Sequence, residues 1–227
     1  MRAPLVAAAL AAFVLPAPAL LAQAGSGAAL SGSGFQVDYS NPSITPAHWT
    51  ITLNADGSGH FRSERGSAPA SDPPTMEAPN VDRDIRLSVP FVAHVFQEAR
   101  QQVVLGRDCE SHMKVAFQGW KKIHYTGPDG EWSCEFNYSR DKQVQALGDS
   151  LVAVASTILE GARLEALLQH DRLGLDRETQ FMLEASGDGR LLQLGAIRSI
   201  LERLAADDQV MERVRKRAKQ LLARADK

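Results

Sequence analysis

The residues best suited to chemistry in this 227-residue chain are its histidines, its acidic residues and its two cysteines. His112 and His124 flank a predicted strand and could approach each other across a sheet, with Glu110 or Glu135 nearby. Neutral imidazoles in such positions would bind a transition metal. No two histidines have the i, i+4 spacing of a helix face or the i, i+2 spacing of a strand face, which a metal site would use. We therefore predict no metal ligand and no cofactor.

The common catalytic motifs give no stronger signal. The sequence lacks the G-x-S-x-G turn of α/β-hydrolases, the H-E-x-x-H helix of zinc proteases and any C-x-x-C pair. Glu131 and Glu135 flank a predicted hairpin and are the carboxylates considered for glycoside hydrolysis. Acidic residues on an exposed hairpin are usually solvated, and nothing in the sequence indicates a shifted pKa. We predict no catalytic residue and keep an extracytoplasmic hydrolase of unrecognised type as the alternative.

Four aromatic residues, Trp120, Tyr125, Trp132 and Tyr138, fall within nineteen positions. Tyr125 and Trp132 should neighbour each other on one hairpin, and such side chains are enriched at interface hot spots and sugar-stacking surfaces. These two residues are our candidate binding surface. The alternative is that the rings belong to the core and form cross-strand pairs that stabilise the sheet.

The N-terminus and the cysteines indicate export. Residues 1–24 have one early cation, an apolar run and a final Ala-Gln-Ala, which predicts a secretory signal peptide. Cleavage would leave 227 − 24 = 203 residues, with no later segment apolar enough to span a bilayer. In an exported chain, the pair Cys109 and Cys134 predicts a disulfide. We expect a periplasmic or extracellular location, and no nucleic-acid partner.

Charge is unevenly distributed along the chain. Residues 25–189 hold 14 Lys and Arg against 22 Asp and Glu, a net charge of 14 − 22 = −8. Residues 190–227 hold 10 against 5, a net charge of 10 − 5 = +5. The basic end is predicted to be a solvated helix face, and its alternatives are docking onto the acidic body, onto a partner, or onto an anionic membrane surface.

Two segments with Asp-Gly turns predict β-hairpins. The first covers residues 51–63 and turns at 54–57; the second covers residues 123–136 and turns at 127–130. The two turns are 129 − 56 = 73 residues apart, and each hairpin precedes an amphipathic helix, so we interpret them as two similar units. Further strands are predicted at 35–39, 84–88 and 112–117, and helices at 89–105 and 141–170. Three later helices are predicted at 177–185 with Asp176 as cap, at 190–205, and at 209–225 with Asp207 or Asp208 as cap.

These elements predict an α+β fold. An antiparallel sheet of five or six strands, built from two hairpin-plus-helix units, would carry its helices on one face. The predicted organisation is a signal peptide (1–24), a flexible Gly/Ser leader (25–34), an α+β domain (35–170) and a helical C-terminal extension (171–227), with a Pro-rich exposed loop at 66–80. No motif resembles a known family closely enough to transfer residues. We expect a non-enzymatic protein that binds another protein or an envelope polymer.

Overall fold

A computed structural model describes residues 32–66, 79–106 and 108–226. The predicted signal peptide, residues 25–31 of the predicted leader and residues 67–78 of the Pro-rich loop lie outside the described residues. The last residue assigned to the leader, Gly34, begins the first strand.

Six strands form one antiparallel sheet in the order β4-β3-β2-β1-β5-β6. β1 is central and pairs with the first strand of each hairpin, so the hairpins lie on either side of it. Both hairpin turns lie at the same end of the strands, since Gly34 of β1 pairs with Asn54 on one side and Thr126 on the other. The strands are β1 (Gly34–Ser40), β2 (His48–Asn54), β3 (Ser58–Glu64), β4 (Asp82–Arg86), β5 (Trp120–Gly127) and β6 (Gly130–Phe136).

Alternation along the strands divides the sheet into an apolar face and a polar face. On the apolar face, Val37 pairs with Ile51 and Ile123, and Ile51 pairs with Phe61. All four side chains are buried. The opposite face carries polar residues on every strand, which explains why helices cover only one side. Helices α1 (Val89–Leu105) and α2 (Lys142–His170) pack on the apolar face.

Local chemistry sets where these helices begin. Asp141 caps α2, because its Oδ1 accepts from the backbone N–H groups of Gln143 at 2.9 Å and Val144 at 3.3 Å. Pro90 lies in the first turn of α1, where its missing N–H costs nothing. An ion pair of 2.8 Å between Arg83 of β4 and Glu165 joins the edge of the sheet to α2.

The C-terminal part of α2 enters a second apolar core. Gly161 is part of this packing, since a Cβ there would collide with Ile197. Two hydrogen bonds join the helical region to the sheet layer: Thr157 donates to Leu192 O at 2.7 Å, and Ser88 N donates to Gln193 Oε1 at 2.8 Å. The helical region consists of α3 (Gly174–Gly187), a 3₁₀ turn (Leu194–Ile197), α4 (Arg198–Ala206) and α5 (Glu212–Ala225).

The predicted α+β class, the hairpins and the helical C-terminal region are confirmed. The strand predicted at 112–117 is wrong, because residues 108–119 form no regular element. Asp176 lies inside the first turn of α3 instead of capping it, and α5 begins later than predicted, at Glu212. The helix predicted at 190–205 begins irregularly and becomes α-helical only at Arg198. None of the helices in the described ranges combines the length and the apolar character needed to cross a bilayer.

Candidate interaction surface

The structure buries both residues of the predicted binding surface. Tyr125 and Trp132 lie directly opposite each other on β5 and β6 and are 0% and 6% exposed. The Tyr125 ring meets Phe96 of α1 edge-on at 5.9 Å, and its Oη accepts from Arg100 Nε at 3.3 Å. The prediction that these two side chains form a surface is therefore wrong. Both point to the face of the sheet that the helices cover, and they form the cross-strand core pair that was the alternative.

The exposed aromatic surface lies instead at the other end of β5. Met113, Val115, Phe117 and Trp120 are 48%, 38%, 48% and 41% exposed, and we call these four residues the exposed apolar patch. The Phe117 and Trp120 rings contact each other edge-on at 6.2 Å. Single exposed apolar residues are common on protein surfaces, but four within eight positions, two of them in ring contact, indicate a candidate binding site.

Met113, Val115 and Phe117 lie on the segment of residues 110–119. One end of this segment is fixed by a disulfide and a carboxylate. Cys109 and Cys134 form the predicted disulfide, which joins the segment to β6. Glu110 Oε2 accepts from Asn137 N at 2.7 Å, and its Oε1 accepts from His112 N at 3.0 Å. Burial alone would raise the pKa of Glu110, but these backbone donors outweigh it and lower the pKa. Glu110 is therefore held as a carboxylate that orders the start of the segment.

The other side of the segment rests on Tyr39 and Asn137. Tyr39 Oη donates to Gln118 O at 2.8 Å, and Asn137 Oδ1 accepts from Gln118 N at 2.7 Å. Gly119 has a φ of +103° and lies against the Tyr39 ring, where a Cβ would collide with ring atoms. The two ends of the segment are thus held by buried groups, while residues 112–118 between them are all exposed.

The chain around the patch carries no acidic residue from position 111 to position 128. Lys114 lies within the segment and is exposed, and Lys122 is exposed on β5. Lys121 points the other way: it is buried, donates to Asn137 O at 3.0 Å and lies over the Phe136 ring. Burial lowers the pKa of Lys121 despite the opposing field of Asp149. The charged groups of this stretch of chain are therefore basic, while the neighbouring strands place Asp38 and Glu135 beside Lys122.

The backbone beside the patch is only partly hydrogen-bonded. Val115 N donates to Met113 O at 2.9 Å, and Ala116 O accepts from Asn137 Nδ2 at 3.3 Å. Within the described part of the chain, the N–H groups of Lys114, Ala116 and Phe117 have no protein acceptor. Solvent can hydrate these exposed groups, and a partner strand can bind them.

A second polar cluster lies on the open face of the sheet. His60 Nδ1 lies 2.9 Å from Asp84 Oδ1, and its Nε2 lies 2.9 Å from Asp82 Oδ1. The hydrogen bond that Asp84 accepts raises the pKa of His60, desolvation opposes the rise, and the bond that Asp82 accepts adds to it. The imidazole of His60 on β3 lies between two carboxylates of the neighbouring strand β4. This geometry is typical of a structural contact between adjacent strands. Across residues 32–66, 79–106 and 108–226, no three ligand-type side chains converge to hold a metal ion.

The other candidate groups do not assemble into catalytic sites. His112 Nε2 bonds to Asp108 and His124 Nε2 to Thr126, so these two histidines serve different partners. Ser111 and Lys114 have the S-x-x-K spacing of serine-lysine enzymes, but no helix brings the amine to the hydroxyl. The Ser111 hydroxyl instead donates to Glu110 Oε1 at 3.2 Å.

A buried carboxyl pair joins α2 to α3. Arg163 Nη1 lies 3.5 Å from Glu160 Oε2 and 3.6 Å from Glu178 Oε2. Burial, and then the hydrogen bond with Glu178, raise the pKa of Glu160 to about 8. Glu160 therefore keeps its proton at neutral pH. The pair contributes to the contact between these two helices, and neither residue lines the cleft formed by residues 86–91 and 191–195.

The basic C-terminal helix is docked on the rest of the chain through several of its arginines. Arg213 and Arg217 both lie 2.6 Å from Asp176 of α3, and the two guanidinium groups lower the pKa of that carboxyl. Arg224 donates to Leu183 O at 2.6 Å. Of the alternatives for the basic end, docking onto the acidic body is the one that this geometry supports.

No protein-family model matches the chain, and no curated protein matches it significantly. The patch was not predicted because alternating Met113, Val115 and Phe117 were interpreted as a strand. The signal that would have identified it is the flanking sequence. Residues 113–117 alternate like a strand, but they follow a disulfide cysteine and precede Gly119. The predicted sheet offers no obvious neighbouring strand for a segment in this position.

Proposed function

We propose that this chain is an exported, non-enzymatic binding protein that docks a protein partner through the exposed apolar patch. The observation that carries the proposal is the combination of exposure and order. Three large apolar side chains are solvent-exposed on a segment whose two ends are held by a disulfide, by Glu110 and by Tyr39, and the exposed Trp120 follows it at the start of β5. Ordering the segment in advance lowers the entropic cost of binding.

A protein partner fits the segment better than a lipid surface. Hydrocarbon offers no hydrogen-bond acceptor to the N–H groups of Lys114, Ala116 and Phe117. Each N–H group left without an acceptor in a bilayer costs on the order of several kcal/mol. A protein partner can present carbonyl oxygens to these N–H groups while its apolar side chains pack on the patch. The partner we propose therefore presents apolar side chains with free backbone carbonyls, and a neutral or acidic group facing the exposed Lys114.

The proposal of export rests on the N-terminal sequence pattern and agrees with the disulfide. A disulfide persists in an oxidising compartment and is rare in the cytosol. The partner would accordingly be a secreted or envelope protein.

The experiment compares two matched double variants of the mature chain. Phe117→Ser with Trp120→Ser removes the ring pair of the patch, and Val104→Ser with Leu173→Ser removes two exposed apolar residues elsewhere, which are 84% and 78% exposed. Each tagged protein is incubated with envelope extract from the source cells, and the captured proteins are quantified by mass spectrometry. We expect a defined partner to be retained by the wild type and the control variant, and lost from the patch variant.

Two results contradict the proposal. One is a partner retained equally by the patch variant, which would place binding elsewhere on the chain. The other is the absence of any protein enriched over the patch variant. Circular dichroism and the denaturation midpoint of each variant establish that a lost partner does not reflect lost folding.

A further inference from the structure

A cleft lies between the sheet layer and the helical region, at the opposite end of the strands from the exposed apolar patch. It has a volume of about 930 Å³, within the usual range for small-molecule sites of about 300–1,000 Å³. One wall is the start of α1, and the other is formed by residues 191–195 and the end of α5. We call it the junction cleft.

The floor of the junction cleft is apolar. Leu87, Leu191 and Leu194 line it and are buried. Phe91 is half-buried and Val89 is 65% exposed, so the cleft also presents apolar surface to solvent. An apolar floor of this kind accepts an acyl or alkyl chain.

The polar groups of the cleft are predominantly cationic. Arg86 and Arg224 line it, and neither forms an ion pair with a carboxylate among the described residues. Arg86 Nη1 donates to Asp56 O at 3.3 Å, and Arg224 donates to Leu183 O. Asp226, the carboxylate among the described lining residues, is ion-paired with Arg198. Two guanidinium groups and one carboxylate thus line the cleft, and Arg86 also helps to lower the pKa of Asp56 nearby.

We propose that the junction cleft binds a single-chain amphiphile with an anionic head group. The head lies on the side of Arg86 and Arg224, because guanidinium groups bind carboxylate and phosphate oxygens with two parallel hydrogen bonds. The chain lies on the leucine floor and against Val89. This site is independent of the exposed apolar patch and uses none of its residues.

The test uses the full mature protein and three probes of equal chain length, each below its micellar concentration: laurate, dodecyl phosphate and dodecanol. Binding is measured by isothermal titration calorimetry. We expect at least one anionic probe to bind at least tenfold more tightly than dodecanol, and the tighter of the two identifies the head group. Arg86→Gln and Arg224→Gln should each weaken that binding by about tenfold, the usual loss of a charged hydrogen bond.

Arg62→Gln on the open sheet face is the matched control, since Arg62 pairs with Glu64 outside the cleft, and it should bind like the wild type. If Arg224→Gln destabilises the packing of α5, the affinity of Arg86→Gln is the result that tests the proposal. Val89→Ser at the exposed rim should weaken binding of every probe that enters. Equal affinity for dodecanol and the anionic probes overturns the proposal, as does Arg86→Gln binding with wild-type affinity.

Discussion

Replacing Glu160 by glutamine should stabilise the protein at alkaline pH and leave its stability at acidic pH unchanged. The folded state raises the pKa of Glu160 from its ordinary value of 4.5 to about 8. Below pH 4.5 the carboxyl is protonated in both states and its protonation has no differential effect. Between 4.5 and about 8 the unfolded chain releases the proton and the folded chain keeps it. Stability is therefore lost as pH rises through this window.

The difference between the unfolded and folded pKa values of Glu160 sets the size of the loss of stability. At about 1.4 kcal/mol per pH unit, the difference between 4.5 and about 8 gives a ceiling of about 5 kcal/mol. Arg163 is 29% exposed and admits water beside the pair, which screens the charge. We therefore expect a loss of roughly 2 kcal/mol in the wild type. Glutamine cannot ionise, so the variant does not have this loss, and its amide can donate to Glu178 as a neutral group.

The assay is urea denaturation at pH 5, 6.5 and 8 for the wild type, Glu160→Gln and the exposed control Glu131→Gln. We expect the free energies of unfolding of the wild type and Glu160→Gln to agree near pH 5 and to diverge toward pH 8, with the variant more stable. Glu131→Gln should follow the wild type throughout. Parallel profiles for the wild type and Glu160→Gln would refute the reasoning that the buried Glu160 carboxyl keeps its proton through neutral pH.

Three further predictions concern the frame of the molecule. Replacing Cys109 and Cys134 by serine should lower the free energy of unfolding by about 3 kcal/mol, from the chain entropy of a 25-residue loop, as measured by denaturation with and without reductant. Gly119→Ala should cost more than about 1 kcal/mol, because of its positive φ and the tyrosine ring against it, whereas Gly195→Ala in open space should cost less in the same denaturation series. The raised pKa of His60 stabilises the fold below its ordinary value of 6.5, and this contribution is lost as pH rises through the folded pKa; an NMR titration giving an ordinary value would contradict the pairing with two carboxylates.

Hydrophobic periodicity was sufficient to predict the layered part of the fold. The helix at 89–105 and both hairpins follow from local patterns, because each buries one face against the same core. The same rule failed at residues 112–117, where an alternating pattern does not lie in the sheet. A strand needs a partner as well as a pattern, and the sequence does not show that both neighbours of β5 are already taken by β1 and β6.

The functional features depend on contacts that are distant in sequence. Tyr125 and Trp132 were expected to be a surface or a core pair, and the helix that decides between these is α1, which precedes them in the chain. The pairing of His60 with Asp82 and Asp84 arises from the register of β3 and β4. The junction cleft requires β4, α1 and α5 together, and no local motif indicates such an arrangement.

The most direct test of the central claim is site-specific photo-crosslinking in the source cells. A benzophenone amino acid replaces Phe117 in one variant and Leu173, which is also exposed, in another. We predict a protein adduct of one defined mass from position 117 and none from position 173, with the adduct lost when Trp120 is changed to serine. A lipid adduct at position 117, or the same protein adduct from both positions, would contradict the account.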